Sequence, residues 1–424
     1  MRKLAPTLLA LVLPSAALAN GDSVPNVNPR DLAMAESLIA AQGDAEAAYW
    51  NPAALSRLEG LNLSLAGSIL VNKSTWNTTT GLSPSPVSTD FKPTPPPSLF
   101  ASYGGKLGEH GWGVGLGMNI SAGGNVFFPS GWPGRYDIID VDRKVFGFYL
   151  GAGFELIPQI RIGGGPVYYY TTEKLSQAAA VPPYPDVVAE VATSGGGFSY
   201  DVSAEIQPVL SVPFTIGVDY KHKAHQQLKG DAHFSNVPPP LATQPQLQDQ
   251  GVSHELIQPN RLNVGAAYRV IPELLLTLAW TFDRYVVYSE DAFLGDKGVA
   301  LVVPRDYGNG QTYRLGAEWD ATNQLQLRAG VLRDISGFKL FTYSPSLPDG
   351  NSWAVGLGAG YAFTKTFAVN AALFYGWYDS ITSDPSQGAF PGRYDLTAWL
   401  ASVGFTWHWQ PGERVAQVSQ EQAR

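Results

Sequence analysis

Cysteine is absent from the 424 residues of this chain, which excludes a disulfide framework, a thiolate metal site and a cysteine nucleophile at once. Beyond its first stretch it has no apolar run of roughly 18 residues, the length a membrane-spanning helix needs, and a mean hydropathy of -0.06 fits no helical membrane protein. Charged residues make up only 15% of the chain and leave a net charge of -8. There is thus neither the basic face that a phosphate backbone requires nor a like-charge run that would serve as an interaction tail. Catalytic signatures are missing too. No G-x-S-x-G elbow occurs, and His110, His222, His225, His233, His254 and His408 share no metal-ligand spacing with a carboxylate cluster. "GGGP" lacks the Lys-Ser/Thr of a phosphate loop, and "DIIDVD" lacks the glycine and closing Glu of a calcium loop. No enzyme, metal or cofactor is expected.

What the chain does have is 45 Gly, 32 Pro, 19 Phe, 20 Tyr and 11 Trp, a turn-rich and aromatic-rich composition of the kind found in barrels with aromatic girdles. Its first nineteen residues read as a secretion signal: Arg2 and Lys3, an apolar Leu4 to Leu18, and the small-x-small site Ala17-Leu18-Ala19. The mature chain is expected to start near Asn20, outside the cytoplasm.

Period-2 alternation then recurs along the chain. Trp399, Ala401, Val403, Phe405, Trp407 and Trp409 fall on one face and Ala398, Leu400, Ser402, Gly404, Thr406 and His408 on the other. Trp353 to Phe363, Tyr313 to Trp319, Leu325 to Val331 and Leu262 to Val270 repeat the pattern. The first faces suit lipid, and the second are too polar or too small for the core of a sandwich. A single such run would read as a half-buried strand of a soluble sandwich; many of them, ending in aromatics and preceded by a secretion signal, read as an outer-membrane barrel.

The connections alternate in length. Long ones cover 76–97, 122–142, 175–195, 231–252, 291–310, 336–351 and 381–394, with short ones near 108–110, 157–158, 207–213, 271–272, 320–323 and 364–366. Seven long and six short connections join 14 strands, with long loops outside the cell and short turns in the periplasm. The reading is an all-β, antiparallel transmembrane barrel over 61–409, followed by a polar tail over 410–424.

A barrel of about 14 strands leaks unless its lumen is occupied, since about eight strands are filled by their own side chains and roughly 16 to 18 leave a channel. The segment 20–60, rich in Ala and without strand pattern, is the candidate plug. "DAEAAYWNPAALSRLEG" reads as helix, with Asn51 as a cap and Pro52 at the first helical position. A periplasmic tail outside the barrel is the other reading of this segment.

"YWNPAALSRLEG" resembles the Asn-Pro-Ala hatch motif of the FadL-type family of outer-membrane transporters for long-chain fatty acids and other hydrophobic compounds. "GWPGRYD", "LGAEWDATNQLQLRAGV", "YSPSLPDGNSWAVGLGAGYAF" and the closing aromatic strand follow in the family's order. The resemblance implies a hatch motif of Asn51, Pro52 and Ala53, and a kinked third strand that opens the wall sideways. It also implies a cargo of long-chain fatty acid or another hydrophobic molecule, with an aromatic hydrocarbon as the alternative. The tail 410–424 departs from the family, whose barrels end at the aromatic strand.

Independent chemistry agrees with such a cargo. Each buried methylene contributes roughly 0.8 kcal/mol, so a fully buried long chain is held by on the order of 10 kcal/mol and leaves slowly into water. A side exit into lipid avoids that cost, and Gly123-Gly124 in "GMNISAGGNVFF" is the candidate opening, although an ordinary strand end reads as well there. Arg261, Arg269, Arg314 and Arg328 share the lumen parity and are candidate headgroup partners. Each also fits, more readily, a charge network with residues such as Glu318. "LSQAAAVPPYPDVVAEVATSGGG" and "FSNVPPPLATQPQLQDQG" are candidate collecting loops, or equally a rigid cover. A bacterial outer-membrane monomer, contacting lipid and the barrel-assembly machinery and no nucleic acid, is the resulting expectation. A lipid hydrolase and a general diffusion porin are the rival classes.

Overall fold

The computed structural model describes residues 27–410, except 288, 289, 299, 305, 385, 387 and 388. The signal read over 1–19, the start of the hatch and the tail after Gln410 lie outside the described residues. Fourteen antiparallel staves form the wall. They are β1 (Gly60–Asn77), β2 (Pro97–Leu107), β3 (His110–Phe127), β4 (Asp140–Ile157), β5 (Ile160–Ala179) and β6 (Val187–Ile206), then β7 (Phe214–Lys221 with Ala224–Ser235) and β8 (Gln250–Gln258 with Arg261–Ile271). The remainder are β9 (Leu274–Asp283), β10 (Gly310–Asp320), β11 (Leu325–Ile335), β12 (Ser352–Ala362), β13 (Phe367–Tyr378) and β14 (Arg393–Trp409). Each pairs with the next, and β14 closes on β1 from Leu61↔Trp409 to Asn77↔Arg393. Closure leaves the main wall without a free edge, the condition under which a sheet can stand in lipid.

The alternation read from sequence sets the two faces. Leu357, Leu315, Leu278, Leu150, Leu116 and Val403 are more than a third exposed and point outward, while their sequence neighbours point into the lumen. Aromatics collect at both rims: Tyr103 against Trp112, and Tyr361, Phe363, Phe367 and Phe405 in sequence, at the end of the short turns; Phe148, Tyr168 and Phe198, and Tyr375 against Trp399, at the other. These are the girdles of a barrel whose rims meet the two interfaces.

Three expected long connections are shorter, the one read over 231–252 covering only 236–249. The β5–β6 ladder runs on to Ala179↔Val187, so most of "LSQAAAVPPYPDVVAEVATSGGG" is strand rather than loop. Its alternation (Leu175, Ala179, Ala189 and Val191 inward) continues the sheet until the prolines at 182, 183 and 185, which lack the ladder donor. The loop 128–139 is likewise flanked by strand to Phe127 and from Asp140. The long loops close over the barrel around an aromatic core in which Trp132 of "GWPGRYD" stacks on Phe128 at 4.0 Å and meets Trp76 at 6.1 Å and Phe390 at 5.5 Å.

The wall is irregular in two places. β7 and β8 break at the same level, at 222–223 and 259–260, where Pro259 has no N–H to donate. At β3 the ladder to β4 slips between Ile120 and Ala122, which leaves Ser121 as an extra residue. Past Asn119, β3 outruns β2, which begins only at Pro97. The segment 87–96, strand at Val87–Ser88 against Thr75–Trp76 and irregular beyond it, fills the space between β3 and β1, with Thr94 bonded to Leu70 in both directions (2.9 and 3.0 Å) and Asn125 Nδ2 donating to Thr94 Oγ1 at 2.6 Å.

Candidate functional site

Residues 27–58 occupy the lumen. The stretch read as one helix is two pieces, α2 (Ala47–Trp50, following α1 at Pro29–Ala33) and a 3₁₀ turn at Pro52–Arg57. Asn51 between them is extended, at φ -164° and ψ 86°, and its side chain caps nothing. The cause is Pro52, which disfavours helical geometry at the residue before it. Asn51 Nδ2 instead donates to Ile39 O at 3.0 Å, tying the two halves of the hatch together, and Ala53 N donates to Ser203 Oγ of β6 at 2.9 Å.

The small inner face of the wall exists for this plug. A methyl group built on Gly113 would lie 2.2 Å from Leu55 O, on Gly163 2.3 Å from Ala53 N, and on Gly356 2.4 Å from Leu32 O. Side chains at these positions would expel the plug backbone. Charge fixes it further. Glu318 of β10 accepts from Arg30 at 2.8 and 3.0 Å and from Arg328 at 2.7 Å. Glu205 of β6 pairs with Arg57 at 2.8 Å, and Lys221 of β7 donates to Tyr49 O.

Above the plug lies a cavity of about 90 Å³. Leu332, Ala354, Phe374, Leu400 and Leu70, from β11 round to β1, make its apolar arc, and α1 contributes Leu32 and Ala33 to the same cluster. Arg261, Asp283, Thr312, Arg314 and Asp334, from β8 to β11, make its polar arc together with Glu36 of the plug.

The four arginines read from parity therefore separate. Arg261 and Arg314 face the cavity. Arg261 binds Asp283 through two bonds of 2.8 and 3.2 Å, and Arg314 lies 3.5 Å from Glu36. Arg328 belongs to the Glu318 network under the plug. Arg269 does not reach the cavity; it sits at the periplasmic rim, more than a third exposed, and pairs with Asp320 at 3.1 Å. Parity places a side chain on a face but not at a depth, and Arg269 is close to the end of its stave. Glu36, Asp283 and Asp334 were not singled out in the sequence, although Asp283 follows Thr281 and Asp334 follows Leu332 in the inward parity.

Gly123 lines this cavity and also a smaller one of about 20 Å³ at the wall, bounded by Leu70, Thr94, Pro96, Ile120 and Gly124. Its φ of +145° suits only glycine, and a Cβ there would lie 2.4 Å from Arg143 O. At Gly124 a Cβ would meet open space.

A closed barrel of 14 staves with an apolar belt, two girdles and an internal plug is an outer-membrane β-barrel with an occupied lumen. A family model described as outer membrane protein transport protein (OMPP1/FadL/TodX) matches residues 10–409, and the chain belongs to that family of outer-membrane transporters. Solved structures share the fold. A FadL homologue of Pseudomonas aeruginosa has a TM-score of 0.81 at 18% identity, covering 92% of this chain and 99% of that one. The toluene transporter TodX of P. putida has a TM-score of 0.74 at 16% identity, covering 91% and 99%. A provisionally named outer membrane protein of Neisseria meningitidis serogroup B is 24% identical over 394 residues, covering 82% of this chain and 83% of its own.

Proposed function

We propose that this transporter takes up small hydrophobic molecules by capture at the long loops, residence in the cavity above the plug, and sideways release through the wall at β3. Long-chain fatty acids are the cargo implied by the sequence resemblance, and monoaromatic compounds the one suggested by the toluene transporter of the same fold. The observation that carries the reading is Gly123, which borders both the lumen cavity and the wall cavity beside the segment 87–96. There β3 runs past the start of β2, and the segment 87–96 stands in place of a stave on that side. Release into lipid costs a buried hydrocarbon little, because bilayer tails are as apolar as the cavity.

Gly124→Trp tests this route. A Cβ at Gly124 meets open space, so the variant should fold with normal heat-modifiable gel mobility and still bind cargo. Cellular uptake should fall to the level of cells lacking the protein. Normal uptake by the folded variant would refute sideways release at β3 and favour passage past the plug.

A further inference from the structure

We infer that a second chamber, stacked on the cavity above the plug, holds the hydroxyl or carbonyl group of a small apolar cargo on Asn72 and Ser74. The inference rests on the proposed uptake function and names the class of cargo: a compact hydrocarbon body that carries one neutral hydrogen-bonding group.

The upper chamber has a volume of about 60 Å³ and shares Asn72, Tyr378 and Ala398 with the cavity of about 90 Å³ below it. Neither alone approaches the ~150 Å³ of an apolar cavity that admits benzene, so a ring-sized cargo has to lie across both. The shared residues then form its waist. Val126, Val141, Leu347 and Leu396 give the upper chamber apolar walls, which suit the body of such a molecule.

The polar groups come from β1, where they break the habit of their own stave. Lower on its inward face, Ser64 Oγ meets Glu46 of the plug, Asn62 Oδ1 lies 2.6 Å from His408 Nδ1, and Ser68 Oγ donates to Ser402 Oγ at 2.9 Å. Higher up the matching stops. Among the described residues the Asn72 amide makes no side-chain hydrogen bond, and Ser74, 3% exposed, has a buried hydroxyl with no partner. Both line the upper chamber. The backbone of Ser74 is fixed there by Thr89, whose Oγ1 accepts from Ser74 N at 3.1 Å and whose N–H donates to Ser74 O at 2.9 Å. A polar group buried without a partner is costly, and a ligand that supplies the missing bond recovers that cost. An amide offers donor and acceptor together and a hydroxyl offers either, so a hydroxyl or carbonyl tip can be matched. Arg143 also lines the chamber but is held by Glu173, to which its Nε donates at 2.8 Å.

The test is equilibrium dialysis of benzyl alcohol and ethylbenzene, alike in size and differing in one hydroxyl, against the full barrel in amphipol, with amphipol alone as the blank. Wild type should bind both. Asn72→Leu combined with Ser74→Ala removes the two polar groups while nearly keeping the volume, and should weaken benzyl alcohol about tenfold without weakening ethylbenzene. Heat-modifiable mobility checks that the variant folds. An unchanged ratio of the two affinities in the folded variant overturns the site, leaves hydrophobic uptake standing and moves the tip elsewhere, as to Arg314 Nε, an unpartnered donor among residues lining the lower cavity. Equal weakening of both ligands reflects lost shape and overturns it too. Failure of both to bind wild type overturns the lumen cavities as cargo sites altogether.

Discussion

Replacing Glu318 by Gln should unseat the plug. The Glu318 side chain is 3% exposed and is shared by Arg30 from the plug and Arg328 from the neighbouring stave. Gln keeps the volume and removes the charge, so two buried guanidiniums are left facing each other. Removing one partner of a buried pair costs about 3–5 kcal/mol. The low end applies, because Arg328 keeps Asn370 Oδ1 at 2.7 Å and Arg30 keeps Ala41 O at 3.4 Å. About 3 kcal/mol, at tenfold per 1.4 kcal/mol, shifts the balance of seated and unseated plug by roughly a hundredfold. The absence of native cysteine gives a clean assay: Ser37→Cys, fully buried on the plug, is labelled by a maleimide only when the plug moves. Labelling of the Ser37→Cys barrel should accelerate roughly a hundredfold when Glu318→Gln is added. An unchanged rate would show that glycine packing, and not this charge lock, seats the plug.

Asn51→Ala removes the bond to Ile39 O inside the plug and should loosen it by about 1–3 kcal/mol, read as faster labelling at Ser37→Cys with no change in heat-modifiable mobility. In the loop of "GWPGRYD", burial pushes the Asp137 carboxyl up from 3.8 to about 7. A raised acid holds its proton when folded and loses it more readily when exposed, so the loop is most stable below pH 4 and weakens as pH rises through 7. Trypsin cleavage at Arg135, normalised to a reference peptide, should be faster at pH 8 than at pH 6, and Asp137→Asn should abolish the difference.

The wall was legible because side-chain period is local: Trp353 to Phe363 announces a lipid face without knowledge of its partners. The plug was legible by contrast, as an Ala-rich stretch with no alternation. What escaped depends on distant pairing. The slip at Ser121 is visible only against Val145, and the breaks in β7 and β8 only against each other. Gly113 and Gly356 read as merely small, because the backbone they admit, Leu55 and Leu32, comes from a segment far away in sequence. The charges divided the same way. Arg314 and Arg328 stand on the expected face, and Glu318, which Arg328 meets, was within reach of strand parity; Glu36, which meets Arg314, and Arg30, which shares Glu318, belong to the plug and were not.

The glycine-lined wall also bears on the order in which the molecule is built. Staves with glycine on their inner face have little side-chain surface to pack and are weak strands by themselves. The plug precedes every stave in the chain, and it passes into β1 at Gly60, whose Cβ position is filled by Trp409 O of the last stave. The seam between β1 and β14 can zip only when the final residues arrive. The plug backbone that fills these glycine faces thus lies ahead of every stave in the chain, while the contact that closes the wall comes from its far end.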